Sequence, residues 1–308
     1  MRDQFANVFF EEAKNDTRLA MVVADISPAG AMTKFKEESP ERFINVGVSE
    51  QIMVGMAAGL ALQGLRPFVY TIATFSLYRP FEFIRNDLAY QNLPVTVVGM
   101  GAGVVYSTLG ATHNAMEDVA IAAAIPNMTV LAPCDPEEAK YLTQWCARHN
   151  QGPVYLRLGK TGEPNYTINA VDPFVFGKLR YICKGKEVCI ITYGPTGIKI
   201  AFDLKDNYLS HQSVSIVSCH TIKPLDWEGL QSLLANHAQV IVIEEHVPHG
   251  GLSSRIKEFA WDNNVSCDLL CFTLKDHFFH YYGTHDGLLR QHELTADVIS
   301  QKLKRICS

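Results

Sequence analysis

Nine short runs rich in β-branched residues recur along the chain: LAMVVADIS, FINVGVS, PFVYTIA, PVTVVGM, MTVLAP, PVYLRL, VCIITYG, SVSIVS and QVIVIEE. Segments long enough for helices separate them, at 50–63, 78–92, 116–124 and 136–149. Strands that alternate with helices predict a mainly parallel sheet with helices on both faces. The runs are continuously apolar rather than alternating, as a sheet buried on both sides requires. The rhythm breaks once, in the Gly-, Pro- and Asn-rich stretch GKTGEPNYTINAVDPFVFGKLRYICKGKE. The expected fold class is therefore α/β with two doubly wound domains, 1–160 and 187–308, joined by a linker at 161–186.

Composition narrows the function classes. With 47% hydrophobic and 19% charged residues the chain is globular, and a net charge of −5 without a basic block argues against nucleic-acid binding. No apolar run reaches the ~18 residues of a membrane span, and the opening MRDQFANVFFEEAK is not a signal peptide. Eight scattered cysteines without a CxxC pair fit a reduced, cytoplasmic setting rather than a zinc site. His246 and His249 flank Pro248, but no third ligand accompanies them, so no metal site is expected in this chain. GPTG at 194–197 follows a strand and opens a helix; it reads as a turn before it reads as an anion cradle.

Four constellations carry the chemistry. Glu50 stands between the strand-like INVGVS and a helix of small residues, Gly55, Ala57, Ala58, Gly59 and Ala61. Helix capping explains an acid there. An acid shielded from water can also hold a proton and share it with a ring nitrogen. Phe75, Tyr78 and Phe81 recur every three residues, which sets them along one side of a helix or 3₁₀ turn, as core or as a cofactor platform; Pro80 predicts a helix start or kink. His113 follows a Gly-containing loop and can act as acid, base or donor. Arg157, near the end of an apolar strand, needs an anion, either an internal carboxylate or a substrate phosphate.

Taken together, these pieces resemble the thiamin diphosphate enzymes of the transketolase family. FINVGVSEQIMVGMAAGLAL is similar to the family's glutamate segment and TFSLYRPFEFIRNDLAYQNLPV to its aromatic segment. GATHNAMEDVAIAAAIPNMTVLAPCDPEEAK resembles its THQ-containing stretch, and IKPLD and IEEHVPHGGLSS its C-terminal domain. The resemblance implies a pyrimidine-binding domain and a transketolase C-terminal-like domain. It also implies that Glu50 bonds a nitrogen of the cofactor's aminopyrimidine and promotes the tautomer that activates the thiazolium. Phe75, Tyr78 and Phe81 would enclose that ring, and Asp25 would lie near the cofactor. His113 would face substrate, and Arg157 and Arg2 would bind a sugar phosphate.

The family's diphosphate site, a GDG motif with a downstream asparagine, has no counterpart here. The resemblance therefore implies a split transketolase whose second chain holds the diphosphate and Mg²⁺ or Ca²⁺, in an α2β2 heterotetramer. Three positions depart from the family pattern: Leu109 replaces an aspartate, Gly101 a histidine and Ala29 a serine. Leu109 cannot accept a substrate hydroxyl bond, so a specialised two-carbon ketol transfer between sugars or sugar phosphates is expected. The alternatives are a decarboxylating subunit, like pyruvate dehydrogenase beta or deoxyxylulose phosphate synthase, and a noncatalytic scaffold.

Overall fold

The structure, a computed structural model, describes residues 1–26 and 30–306. Its first sheet is built from β1 (Leu19–Val23), β2 (Phe43–Asn45), β3 (Arg66–Ile72), β4 (Thr96–Met100), β5 (Thr129–Leu131) and β6 (Val154–Leu158). The second holds β7 (Arg180–Cys183), β8 (Val188–Thr192), β9 (Val214–Ser218), β11 (Gln239–Ile243) and β12 (Asp268–Phe272), while β10 (Thr221–Lys223) lies between β9 and β11 in sequence. Every residue of β1, β4, β6, β8 and β9 is buried, which is why these runs show no alternation.

The spatial orders are β10-β5-β6-β4-β3-β1-β2 and β12-β11-β8-β9-β7. Pairing is parallel except for β10 on β5 and β7 on β9. Two features differ from the division expected from sequence. Part of 161–186 is not a connector, because Arg180–Cys183 forms the edge strand β7 of the second sheet. The second half of the chain also returns a strand to the first sheet: Thr221 pairs with Leu131 and Lys223 with Val130. The Lys223 ammonium fastens this crossing by donating to the carbonyls of Ala123 and Ile125 at 2.9 and 2.6 Å.

The parallel strands of the first sheet aim their carboxyl ends the same way. Asp25 follows β1, Glu50 follows β2, Phe75 follows β3, and the loop bearing Leu109 and His113 follows β4. This is the rim where open α/β sheets bind ligands. The opposite layer is anchored by the helix Arg2–Asn15, whose Phe9 meets Phe35 and Phe68 edge-on with centroids 5.1 and 5.0 Å apart.

Candidate active site

Glu50 is the first residue of the helix Glu50–Leu62 and is 3% exposed. The helix turns Met53, Val54, Ala57, Ala58 and Ala61 into the core. Its other face presents Ile52 (56% exposed), Met56 (38%) and Gly59 to solvent, beside Val48 (69%) and Phe83 (38%). The small residues thus divide: the alanines pack inward and Gly59 stays open, with nothing within 4 Å of the place a Cβ would take. The buried acid thus stands at the edge of an exposed apolar face.

Sequence reasoning left Glu50 alone; the structure gives it a cation. Arg79 Nη1 donates to both carboxylate oxygens, at 3.0 and 3.2 Å. The same guanidinium lies over the Phe75 ring, 4.4 Å from its centroid. Arg79 stands in the aromatic segment, and its signal was an arginine placed directly before Pro80 amid aromatics. The backbone explains the position. Phe75 belongs to the short helix Ala73–Leu77, the chain turns through Tyr78–Pro80, and a new helix starts at Phe81. Residues Ile84–Tyr90 then wind as a π-helix, a form common at functional sites.

Phe75, Tyr78 and Phe81 consequently do not form one stripe. Phe75 meets the His113 ring edge-on at 5.0 Å. Tyr78 gives its hydroxyl to Glu117 Oε2 at 2.9 Å, and burial, then nearby Asp118 and Glu117, push its phenol upward. Phe81 is half-buried and packs with Tyr78 against the core. Burial, together with the Arg79 charge, pushes His113 below the ordinary imidazole range, so the ring is neutral at pH 7. Thr112 Oγ1 lies 2.9 Å from its Nδ1.

The loop that carries His113 is set by packing. Gly101 has φ +68°, and a Cβ there would run into the Tyr106 ring, so no side chain fits where the family places a histidine. Gly103 has φ +73° and lies against the Glu245 carboxylate, which accepts the Val104 N–H at 2.8 Å. Ser107 donates to the Gly283 carbonyl at 2.7 Å. Leu109 is 47% exposed. Neither Glu245 nor the loop at 283 was singled out as site-forming from sequence, because both contacts bridge distant parts of the chain.

Other expected site residues lie elsewhere. Asp25 is exposed, with a left-handed backbone (φ +48°) held by its N–H to Asn45 Oδ1 at 3.0 Å. Arg2 is half-buried near Asp3 and Tyr70. Ala29 lies outside the described residues. Arg157 lies within the interior. It is 4% exposed, and its Nε donates to Asp118 Oδ2 at 2.9 Å while Nη2 donates to the Glu245 carbonyl at 3.1 Å. Of the two anions left open by sequence, the internal carboxylate is the one it meets in this chain. The GPTG turn packs against the same group, with Arg157 Nη1 3.3 Å from the place of a Gly194 Cβ. His246 is likewise tied to backbone: Nδ1 lies 2.7 Å from the Val247 carbonyl, and Nε2 accepts the Ala120 N–H.

A cleft of about 1030 Å³ opens elsewhere, lined by residues such as Lys160, Lys199, His285 and Arg290. None of Glu50, Phe75, Tyr78, Phe81 and His113 lines it.

Residues 1–163 match the family model for the transketolase pyrimidine binding domain, and residues 177–299 that for the transketolase C-terminal domain. The chain belongs to the transketolase family. A Methanocaldococcus jannaschii protein, provisionally named as a transketolase C-terminal section, is 34% identical over 98% of this chain and 95% of its own length. An apulose-4-phosphate transketolase subunit of Phocaeicola vulgatus is 30% identical over 86% of this chain and 84% of its own. Against 1-deoxy-D-xylulose-5-phosphate synthase of Clostridium acetobutylicum, at 31% identity over 97% of this chain, the match spans only 48% of that longer protein. A solved structure described as split gene transketolase, inactive beta4 tetramer, superposes with a TM-score of 0.85 at 29% identity, covering 99% of this chain and 96% of the other. The family implies thiamin diphosphate, and the residues fit its aminopyrimidine: a shielded carboxylate at a helix start, an aromatic face at Phe75, and a flat cationic group already seated between them. Among the described residues no helix is long and apolar enough to cross a membrane.

Proposed function

We propose that this transketolase-family chain is the pyrimidine-side subunit of a split enzyme that moves a two-carbon ketol unit between sugar-type substrates. One observation carries the reading: a buried acid beside an aromatic ring, at the border of an apolar helix face that nothing among the described residues covers. A second polypeptide, the diphosphate-binding subunit, packs on Val48, Ile52, Met56 and Phe83 and brings the Mg²⁺ or Ca²⁺ ligands. Two copies of each give an α2β2 cytoplasmic assembly. By itself the chain associates without activity, as the beta4 relative is described to do.

Bound thiamin diphosphate supplies the carbanion chemistry of ketol transfer. Glu50 holds or accepts a proton at a ring nitrogen, and its shielding from water keeps that proton from leaking to solvent. Phe75 supports the ring face, and Tyr78 and Phe81 back it from the core. Asp25 borders the cofactor from the end of β1. Neutral His113 donates to, or takes a proton from, substrate oxygens. Arg2 remains a candidate for an anionic substrate group. Leu109 withholds the hydroxyl acceptor found in ordinary transketolases, which turns donor choice away from common pentose phosphates; a missing partner for a buried hydroxyl costs about 1–3 kcal/mol.

The likeness to 1-deoxy-D-xylulose-5-phosphate synthase keeps a second reading, decarboxylation of a 2-oxo acid. Assay of the chain with its partner separates them. Transfer from a ketose phosphate without carbon dioxide release is the expected result; carbon dioxide from pyruvate overturns it.

A further inference from the structure

Arg79 copies both contacts that an aminopyrimidine ring would need at this site. Its flat, π-delocalised guanidinium lies on Phe75 at 4.4 Å. Its N–H groups reach both oxygens of Glu50 at 3.0 and 3.2 Å. A ring stacked on that face of Phe75 and bonded to that carboxyl group would occupy the same space and engage the same oxygens. The two cannot be present together.

The placement also allows departure. The Arg79 side chain is 47% exposed, whereas Glu50 is nearly fully buried. Arg79 lies in the turn between the helices Ala73–Leu77 and Phe81–Phe83, so its stem can swing outward without breaking either one. No other partner of its guanidinium is seen among the described residues. Arg157 differs at each point: it is enclosed, bonded on two sides and fixed within β6.

We infer that Arg79 is a resident stand-in for the cofactor ring, which keeps the buried Glu50 paired while the site awaits its cofactor and must be expelled before the ring can seat. This rests on the proposed thiamin diphosphate site and adds a residue that sets its affinity. An unpaired buried carboxylate is costly, so the stand-in protects the isolated chain. The same contact opposes cofactor entry, through an exchange in which one planar partner of Glu50 replaces another on Phe75.

The test uses the chain assembled with its diphosphate-binding partner, titrated calorimetrically with thiamin diphosphate and Mg²⁺. Wild type is compared with Arg79→Met, which keeps length without charge or planarity, and with Arg79→Lys. Arg79→Met is expected to bind about tenfold more tightly and to load faster, equivalent to about 1.4 kcal/mol. Arg79→Lys is expected between the two. In the chain alone, carbodiimide labelling of Glu50, read by peptide mass spectrometry, is expected to rise several-fold in Arg79→Met. Equal or weaker cofactor binding by Arg79→Met, or unchanged labelling, overturns the stand-in alone. A wild-type assembly that binds no thiamin diphosphate overturns the functional reading and this inference with it.

Discussion

Two of the acid–arginine pairs among the described residues have opposite characters. Asp118 and Arg157 are both buried, 2.9 Å apart; Tyr155 donates to the same carboxylate oxygen at 2.8 Å, and the Glu245 carbonyl takes a second guanidinium nitrogen. The pair is walled in by two sheets. Glu50 and Arg79 also meet at 3.0 Å, but one partner is buried and the other half in water, at the edge of an uncovered face. Identical chemistry thus serves two ends. A closed pair fixes where two domains meet, and an open pair can be exchanged for something from outside. Enclosure, not residue type, separates architecture from reactivity here.

Substitutions can break this contrast. The largest expected effect is on activity: Glu50→Gln should cut turnover of the complete enzyme about 10²–10⁴-fold, the range for loss of a positioned proton-transfer group. Its urea unfolding midpoint should barely move. A stability loss like that of the closed pair would erase the distinction between them. Arg157→Met should do the reverse, lowering unfolding stability by about 3–5 kcal/mol because Asp118 is left charged and unpaired in the interior. A double Asp118→Asn, Arg157→Met chain should regain part of that loss, as measured by denaturant titration.

A smaller effect sharpens the contrast through pH. His285 Nε2 lies 2.8 Å from Glu245 Oε1, beneath the loop that bears His113. Burial works against the charge on each, but their mutual attraction prevails: His285 is raised above its ordinary 6.5 and Glu245 lowered below its ordinary 4.5. A raised imidazole contributes stability below its unfolded value and loses that contribution as pH climbs through the folded one. A lowered carboxyl contributes above its unfolded value and loses it as pH falls through the folded one. The pair therefore helps most between pH 4.5 and 6.5. Stability measured from pH 6.5 upward should decline more gently in His285→Gln than in wild type, and parallel slopes would remove this pair from the balance.

Much of the fold was legible because burial on both faces leaves a strong imprint: LAMVV, VYLRL and VCIIT can hardly be anything but inner strands. Pro80 announced the break between two helices for a local reason, its ring and missing N–H. Local rules also located Glu50 at a helix start. They failed where partners are remote in sequence. Nothing near Arg157 named Asp118, 39 residues away, or Glu245, 88 away. The three-residue spacing of Phe75, Tyr78 and Phe81 suggested a common face, and the turn at Tyr78–Pro80 redirected them. Nor could the pattern reveal that Thr221–Lys223 would leave its own domain, since three residues carry no periodicity.

That departing segment has a consequence for inheritance. Because β10 completes the sheet of the other half, a gene cut at the junction would strip an antiparallel ladder from β5 and expose its amide edge to foreign strands. Recombination can trade this pair of modules between lineages as a block, but a crossover between them yields fragments prone to clump.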